Sequence, residues 1–581
     1  MYGRINGLIF MKKIIPFKKR LSFFLEKTFN ILSLVNPGIR ARLVLAGLIA
    51  FIFTAGVLQW SMNYGRLAYD MTYDDVGYFL DAYSRIQVLY QQGIGTMLSG
   101  VLTNPPHSPW SSLLAFIGFA VFGPFDWAPY LMNGISIFLF LTFLVYILRR
   151  THFVVSALLT VLFLFIPFSF FAVHEFRPDF IVGLSTCVFS FLAIESFSIA
   201  QDHDKLKLRC AGIIFGIALL SKPSFFAHTL ALAIFVSVFI ILFPMLTDYR
   251  KWQLEKSKNL SFILRDFYLP GIILVVPYYA FAWRPIWDYF WTNTRGGTGS
   301  TIWNLQGSYW EIFKSFTIDG AVALMISGYL YFFVGIVILS IALLIKKRKW
   351  QELYVLSGLL VVALVSLVII IYGQINNMFF GLTYQIMLSL AVCYCLSAFY
   401  GNRTTFRLLI AAFILFSGLH VIVNKSILHM VSANKSPLVR KETSVNLKII
   451  RAMDYYLKKN NLPVTSEKVF VSFAGDINAS SMKWLAYQNS LPLEFSDLHM
   501  QDDLVAFKEV VAKSNFIIVA DEDADGIYKW LPSYSIQKPA LNFLRSQPDT
   551  KEILIVETKR NLKNSCIRIF TKTRLESVDE I

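Results

Sequence analysis

The stretch LVLAGLIAFIFTAGVLQW, residues 43–60, decides the class of fold. It contains no charged residue and is long enough to cross the hydrocarbon part of a bilayer as a helix. The rest of the chain has the same character, because 56% of its 581 residues are hydrophobic and only 16% are charged. Soluble domains carry about 25% charged residues. We therefore predict a polytopic α-helical membrane protein.

Apolar runs of similar length recur as far as residue 424 and predict about 11 membrane spans. The predicted spans are 43–60, 127–148, 153–171, 179–199, 208–223, 225–246, 267–284, 320–345, 353–372, 379–399 and 407–424. Residues 1–424 are thus predicted to form a membrane domain, and residues 425–581 a separate domain outside the membrane.

The positions of Lys and Arg predict the orientation. Clusters such as Arg149-Arg150 and residues 346–349 lie in short loops, and the first 42 residues are also basic. Cytoplasmic loops are enriched in these residues, so we place the N-terminus and these clusters on the cytoplasmic side. The membrane is predicted to be a bacterial inner membrane. An odd number of spans then puts the first loop, residues 61–126, and the C-terminal domain on the outer, periplasmic side.

The formal net charge of +17 does not indicate a nucleic-acid partner. The excess lies in the loops of the membrane domain, as membrane insertion requires, whereas acidic and basic residues nearly balance from Lys425 onward. The charge pattern therefore points to membrane lipids and excludes nucleic acid.

The first loop contains two helical patterns. In YDDVGYFLDAYSRIQVLYQQG (73–93), apolar residues recur every three or four positions, which predicts a helix lying in the membrane interface. The segment PWSSLLAFIGFAVFG (109–123) is too short to span comfortably and is predicted to be re-entrant or interfacial. Together they predict a structured lid.

The C-terminal domain has a different pattern, in which β-rich runs alternate with helical stretches. The predicted strands are KVFVSFA (468–474), NFIIVAD (515–521), EILIVE (552–557) and CIRIFTK (566–572), and helices are predicted near 443–459 and 501–513. This alternation predicts a soluble α/β domain.

Four motifs, in this order along the chain, resemble those of the membrane-embedded GT-C glycosyltransferases. They are the acidic pair Asp74-Asp75, HSPWSSLLAFIGFAVFG (107–123), HEFRPDF (174–180) and GIIFGIALLSKPSFF (212–226). The resemblance covers roughly residues 43–300 and extends to protein O-mannosyltransferases, the lipid A aminoarabinose transferase and arabinofuranosyltransferases. It implies a GT-C-like membrane enzyme that takes a sugar from a polyprenyl-phosphate lipid and gives it to a glycan, lipid or protein acceptor.

The resemblance also implies that the acid of the first loop is the general base, which corresponds here to Asp74 or Asp75. The sequence DDVGYFL is most similar to the DDG-Y pattern of arabinofuranosyltransferases, but Val76 separates the pair from the glycine. Arabinofuranosyl-type and mannosyl-type transfer therefore both remain open.

The same chemistry follows from the residue types. Transfer from a sugar phosphate needs a carboxylate that accepts the proton of the attacking hydroxyl, and cations that hold the departing phosphate. Adjacent side chains on a helix point in different directions, so one of the two carboxylates faces the reacting centre, and we predict Asp74. The alternative is that the pair only stabilises the helix N-terminus. Glu175 and Asp179 are the next candidate acids.

Several cations are candidates for phosphate binding. Lys222 ends an apolar span, and either binds the phosphate or extends to the membrane interface. Arg177 either binds phosphate or pairs with Glu175 or Asp179. His107 either assists the acid or has a structural role in its Pro-rich loop. Arg295 begins a Gly-rich segment that is either a mobile substrate lid or a flexible connector.

A partial calcium motif occurs in the C-terminal domain. DEDADG (521–526) places Asp521, Asp523 and Asp525 before a glycine, like the first half of a calcium loop, although Pro532 stands where a bidentate Glu is needed. Calcium binding and a solvated acidic turn are both compatible with it. We assign no metal to the membrane domain.

Two other classes of function compete with a transferase. A transporter or lipid-linked glycan flippase usually places ionisable residues near the middle of the bilayer, whereas the polar residues of this chain concentrate in the loops of the predicted outer side. A scaffold that uses the C-terminal domain for assembly is also compatible with the sequence. The pattern favours the enzyme.

Overall fold

The computed structural model describes residues 37–198, 204–247, 258–294, 307–373, 378–423, 444–460 and 467–572, apart from gaps at 327, 476, 499–502, 522–523, 525–526 and 558–565. The described chain consists of a large helical bundle followed by a mixed five-stranded sheet domain. The predicted fold class is thereby confirmed.

The bundle extends from α1 to α17. Its helices are α1 (Pro37–Tyr64), α2 (Tyr73–Gln92), α3 (Ile94–Thr103), α4 (Pro109–Phe122), α5 (Trp127–Ile147), α6 (Phe153–Leu164), α7 (Pro167–His174), α8 (Asp179–Phe197), α9 (Lys205–Ser221), α10 (Phe226–Thr247), α11 (Leu269–Thr294, continuing a π-helical turn Ile263–Tyr268), α12 (Tyr309–Thr317), α13 (Ala321–Leu324), α14 (Tyr329–Lys346), α15 (Trp350–Tyr372), α16 (Leu382–Phe399) and α17 (Arg403–Val423).

All eleven predicted spans fall on helices of this bundle. Among the described residues, eight helices are long and apolar enough to cross a membrane, and a ninth span results if α6 and α7 are counted as one. The other two predicted spans correspond to α9 and α17, which are helical but whose apolar parts are shorter than 18 residues. The protein is thus a multi-pass membrane protein by its helix composition.

Helices α8 and α16 form the centre of the membrane domain. In the segments 179–197 and 379–399, 83% and 89% of the most apolar window is buried by other parts of the protein. The two helices lie in direct contact, because the Cys187 thiol lies 3.3 Å from the Thr383 carbonyl oxygen. Asp179 is the first residue of α8 and is therefore held at the end of this core.

A bend separates α6 from α7, within residues 153–171, which were predicted as one span. The axes of the two helices differ by 68°. Pro167 is the first residue of α7, and proline cannot continue the hydrogen-bond ladder of a helix from the preceding turn. The bend directs the end of α7 and the turn 175–178 toward the first loop.

The first loop is packed between the membrane domain and the C-terminal domain. The apolar face predicted for α2 exists, but it is buried by protein, since Val76 and Phe79 are almost fully buried and Phe79 contacts the rings of Phe119 and Tyr130. Helix α4 fits closely against the start of α5, where a Cβ at Gly118 would lie 2.8 Å from the Ala128 carbonyl oxygen. Aromatic side chains of other segments therefore cover part of the apolar face of α2, and the interfacial position of this helix stays a prediction.

The described part of the C-terminal domain contains five strands and four longer helices. These are α18 (Val445–Lys459), α19 (Ala479–Gln488), α20 (Leu504–Ala512) and α21 (Gln537–Ser546), with β1 (Glu467–Val471), β2 (Leu493–Asp497), β3 (Phe516–Ala520), β4 (Thr550–Glu557) and β5 (Cys566–Lys572). The strand order is β2-β1-β3-β5-β4, with β1 parallel to β2 and β3, and β5 antiparallel to β3 and β4. The four predicted strands are present, and β2 was not predicted.

Helix α19 of the C-terminal domain docks on the first loop. The Trp484 indole is 99% buried, stacks on Phe119 at 5.1 Å between ring centroids, and donates a 2.6 Å hydrogen bond from Nε1 to Asp126. The Ser481 hydroxyl donates to the Met71 carbonyl oxygen, and Asn446 donates to Asp70 at 2.8 Å. The first loop and the C-terminal domain therefore lie on the same side of the membrane domain.

Candidate active site

The acidic pair lies in the first turn of α2. Thr72 is the N-cap residue and makes no side-chain cap bond, so neither Asp74 nor Asp75 occupies the N-cap position. The two carboxylates point into different surroundings: the Asp74 side chain is 43% exposed, whereas the Asp75 side chain is 1% exposed. The two exposures differ because adjacent side chains on a helix point in different directions.

Asp75 belongs to a buried structural cluster. Its Oδ2 accepts a 3.1 Å hydrogen bond from Arg66 Nε and another from the Tyr130 hydroxyl. Arg66 also donates from Nη1 to Thr72 Oγ1 at 2.8 Å, which ties the start of α2 to the end of the first span. Burial raises the pKa of the Asp75 carboxyl, although the Arg66 guanidinium opposes this effect.

Asp74 faces Arg177 across the site. Arg177 Nη1 donates to Asp74 Oδ2 at 3.1 Å, and its guanidinium lies 4.6 Å from the centre of the Phe379 ring. Arg177 was predicted to bind phosphate or to pair with Glu175 or Asp179. The carboxylate that it contacts is that of Asp74, and phosphate binding stays a prediction. Glu175 lies 3.1 Å from the His174 ring nitrogen Nδ1, and proximity to His174 and Arg66 lowers the pKa of Glu175 despite its burial.

Lys222 is buried in an ion pair with Asp179. The Lys222 Nζ to Asp179 Oδ1 distance is 2.9 Å, and both side chains are at least 95% buried. The ammonium also lies 5.0 Å and 5.3 Å from the ring centres of Phe380 and Phe225. The alternative that Lys222 extends to the membrane interface is thus wrong, because its side chain points into the protein toward Asp179.

His107 completes the group. Its ring stacks on the Tyr78 ring with centroids 6.1 Å apart. Burial and the positive charge of Lys222 lower the pKa of His107, so a neutral imidazole is favoured. Burial alone would raise the pKa of Asp74, but the positive charges of Arg177 and Lys222 outweigh it and lower this pKa. One ionised, partly exposed carboxylate therefore lies among cations.

Four buried polar atoms around the acidic pair have no hydrogen-bond partner among the described residues. They are Asp75 Oδ1, Arg177 Nε, Asp179 Oδ2 and the Tyr78 hydroxyl oxygen. Buried polar groups are nearly always paired in folded proteins, so these atoms indicate a place for a polar ligand. Arg177 Nε and the Tyr78 hydroxyl can donate, and Arg177 and Lys222 add positive charge, which suits an anionic ligand on their side. The two carboxylate oxygens can only accept and suit a hydroxyl group or water instead.

Two predicted sites are not described in full. Arg295 lies outside the described residues, as do Asp523 and Asp525. Asp521 is described, and both of its carboxylate oxygens accept hydrogen bonds from Arg568, at 2.9 Å and 3.0 Å. No group of three potential metal ligands occurs within the described part of the chain. Calcium binding stays a prediction.

Sequence reasoning missed residues that surround the acidic pair. Arg66 and Tyr130 hold Asp75, Tyr78 stacks on His107, and Trp484 covers α2 from the C-terminal domain. One signal for Arg66 was available. Loops outside the cytoplasm contain few arginines. An arginine in such a loop therefore has a specific structural or functional role more often than an arginine in a cytoplasmic loop.

The fold defines the class as a polytopic membrane protein with a C-terminal mixed-sheet domain. No protein-family model matches the chain, and no curated protein matches its sequence. Among solved structures it is similar to ArnT from Cupriavidus metallidurans in the apo state, at 12% identity and a TM-score of 0.52, over 90% of this chain and 98% of that one. ArnT bound to undecaprenyl phosphate gives a TM-score of 0.46 at 12% identity, over 89% and 97% of the two chains.

At this level of identity, the match with the apo structure establishes the fold and not the activity. ArnT is a polyprenyl-phosphate-sugar glycosyltransferase of the GT-C class. The resemblance predicted from the four sequence motifs is therefore confirmed for the fold over about nine-tenths of the chain.

Proposed function

We propose that this protein is an integral membrane glycosyltransferase that moves a sugar from a polyprenyl-phosphate donor to an acceptor hydroxyl, with inversion at the anomeric carbon. The main observation in support is the half-exposed carboxylate of Asp74, 3.1 Å from Arg177 and close to Lys222 and His107. A proton acceptor and phosphate-binding cations are the two requirements of this chemistry. The ArnT-like fold is consistent with it.

In the proposed reaction Asp74 removes the proton of the acceptor hydroxyl. The acceptor oxygen forms a bond to the anomeric carbon while the bond from that carbon to the phosphate oxygen breaks. The bonding electrons leave with the phosphate, and a single displacement of this kind inverts the configuration. Arg177 and Lys222 would hold the negative charge that develops on the leaving group.

The contact between Arg177 and Asp74 suggests how donor binding prepares the base. A carboxylate paired with a guanidinium is a weak base, since the pairing lowers its pKa. A donor phosphate that engages Arg177 would weaken this pairing and would raise the pKa of Asp74 toward its ordinary value. Arg177 would thus change partner from Asp74 to the phosphate in the donor complex.

The direct test is transfer by the purified full-length protein in liposomes. Polyprenyl-phosphate donors carrying arabinofuranose or mannose are supplied with candidate glycan, lipid and protein acceptors, and both the glycosylated product and the released polyprenyl phosphate are measured. We expect transfer from at least one donor. Movement of the intact donor across the bilayer without release of polyprenyl phosphate would instead support a flippase.

The side of the site is a separate prediction. The charge pattern places the first loop and the C-terminal domain outside the cytoplasm, and the docking of Trp484 on Phe119 requires both on one side. Alkaline phosphatase, which is active only outside the cytoplasm, is expected to be active when fused after Asn424. A fusion after Arg348, in a predicted cytoplasmic loop, should be inactive and serves as the control. The reverse pattern, with both fusions stable, would contradict the proposed orientation.

A further inference from the structure

A cluster of cations surrounds Phe262. It lies at one end of the helical bundle, where the first turn of α9 meets the helical residues 258–262. Lys205 Nζ, Lys258 Nζ and the Arg265 guanidinium lie 5.5 Å, 6.0 Å and 5.1 Å from the centre of the Phe262 ring. The sequence spacing explains why these side chains meet. Lys258, Phe262 and Arg265 lie on one face of their helix, and Lys205 and Arg209 lie one turn apart on α9.

One buried carboxylate only partly neutralises this cluster. Asp266 accepts from Arg209 Nε at 2.8 Å through one oxygen, and from Arg265 at 2.6 Å and 3.0 Å through the other. The Asp266 side chain is 1% exposed, whereas the Arg209 and Arg265 side chains are 57% and 52% exposed. Counting only the residues that the structure describes and that form these contacts, four cations face one acid, which leaves an excess of three positive charges.

The cluster is held by close helix packing. A Cβ at Gly212 of α9 would lie 2.1 Å from the Phe267 carbonyl oxygen, so only glycine permits this contact. Asp266 and Phe267 belong to the π-helical turn Ile263–Tyr268, and such turns often occur at functional sites. The cations are therefore brought together by a defined junction between two helices.

Exposed leucines lie beside the charges. Leu206, Leu260 and Leu264 are 73%, 45% and 54% exposed, and they alternate along the chain with the cations of the cluster. The helix 258–288 is one of the candidate membrane spans, and only 28% of its most apolar window is buried by protein. Cations beside exposed leucines at the end of a span match the boundary between lipid headgroups and acyl chains.

We propose that the Phe262 cluster, formed by Lys205, Arg209, Lys258, Phe262 and Arg265, binds the phosphate headgroup of an anionic glycerophospholipid. The phosphate supplies the negative charge that Asp266 alone does not, and the acyl chains lie against the exposed leucines. This site is separate from the Asp74 site and does not depend on the proposed transfer reaction.

The test uses the purified full-length protein in detergent. Dioleoylphosphatidylglycerol, dioleoylphosphatidylcholine and inorganic phosphate are titrated in turn, and bound lipid is counted by native mass spectrometry. The informative variant is Lys205→Gln/Lys258→Gln, which leaves both arginines on Asp266 and so does not expose a buried unpaired carboxylate. Lys346→Gln/Lys347→Gln is the matched control, because it removes the same charge from another exposed basic cluster.

We expect the anionic lipid to bind more tightly than phosphatidylcholine. Each cation near an anionic lipid surface contributes roughly a fivefold gain in binding, so the Lys205/Lys258 variant should bind the anionic lipid about 30-fold more weakly. The control should change binding by less than about twofold. Equal losses in the two variants, or no loss in either, would overturn the proposal. Displacement of the lipid by inorganic phosphate at equal concentration would also overturn it, because the acyl chains would then contribute nothing.

Discussion

Asp74→Asn is expected to lower the transfer rate by at least about 10²-fold, the usual lower contribution of a general base. Asparagine has nearly the same size and is also well tolerated near a helix N-terminus, but it does not accept the proton. Because neighbouring cations lower the pKa of Asp74 in the donor-free protein, protonation of Asp74 should lower kcat/KM only below the ordinary carboxyl value of about 3.9. Activity is lost as pH falls through this range, since protonation removes the base.

The same substitution at two other positions provides the comparison. Asp75→Asn should have a milder direct effect on the rate, but it leaves Arg66 without its buried partner and should destabilise the protein by roughly 3–5 kcal/mol. Asp81→Asn removes a partly exposed ion pair with Arg85 on the same helix and should leave transfer nearly unchanged. If a double Asp74→Asn/Asp75→Asn variant transfers sugar at the wild-type rate, the base must be sought at Asp179 or Glu175.

Lys222→Ala is expected to lower kcat/KM for the donor by about 10²-fold or more, the loss that follows when one charge-stabilising donor is removed. Lys222→Arg should recover part of this loss, because the charge remains while its geometry changes. Steady-state kinetics with varied donor concentration measure both effects. Unchanged donor kinetics in Lys222→Ala would mean that Lys222 only neutralises Asp179.

A structural effect has to be separated from the effect on donor binding. Lys222→Ala leaves Asp179 buried and unpaired, which alone costs roughly 3–5 kcal/mol of stability. The double variant Lys222→Met/Asp179→Asn removes both charges and should recover much of the stability, as thermal unfolding would show. It should not recover donor use. Recovery of both would assign a purely structural role to the pair.

The membrane part of the fold could be predicted because hydropathy acts locally. Nine of the eleven predicted spans fall on single helices, and the spans 153–171 and 320–345 are each divided between two helices. A run without charges, such as residues 43–60, has no other stable form in a bilayer. The bend between α6 and α7 was missed although Pro167 was visible, because a proline inside an apolar run also occurs in kinked but continuous spans. Strand β2 was missed because LEFSD is short, polar and at the edge of the sheet.

The candidate site was only partly predictable, because its contacts join distant segments. Asp74, Arg177 and Lys222 could be identified as candidate site residues from the sequence. Ionisable residues next to apolar spans are costly and often functional. Their pairing could not be identified: Arg177 contacts Asp74, which is 103 positions away, and Lys222 contacts Asp179. No periodicity encodes such contacts, and the role of Trp484 in covering α2 had no local signal.

The docking of α19 has a consequence for the order of events during synthesis. Trp484 and its hydrogen-bond partner Asp126 are 358 residues apart in the chain, which a ribosome working at about 5–20 residues per second needs roughly 20–70 s to translate. During this interval the first loop has left the ribosome while Phe79 and Phe119 still lack their covering indole. Newly made chains would therefore present an uncovered aromatic surface, and a chaperone or the membrane surface has time to hold it until the last domain arrives.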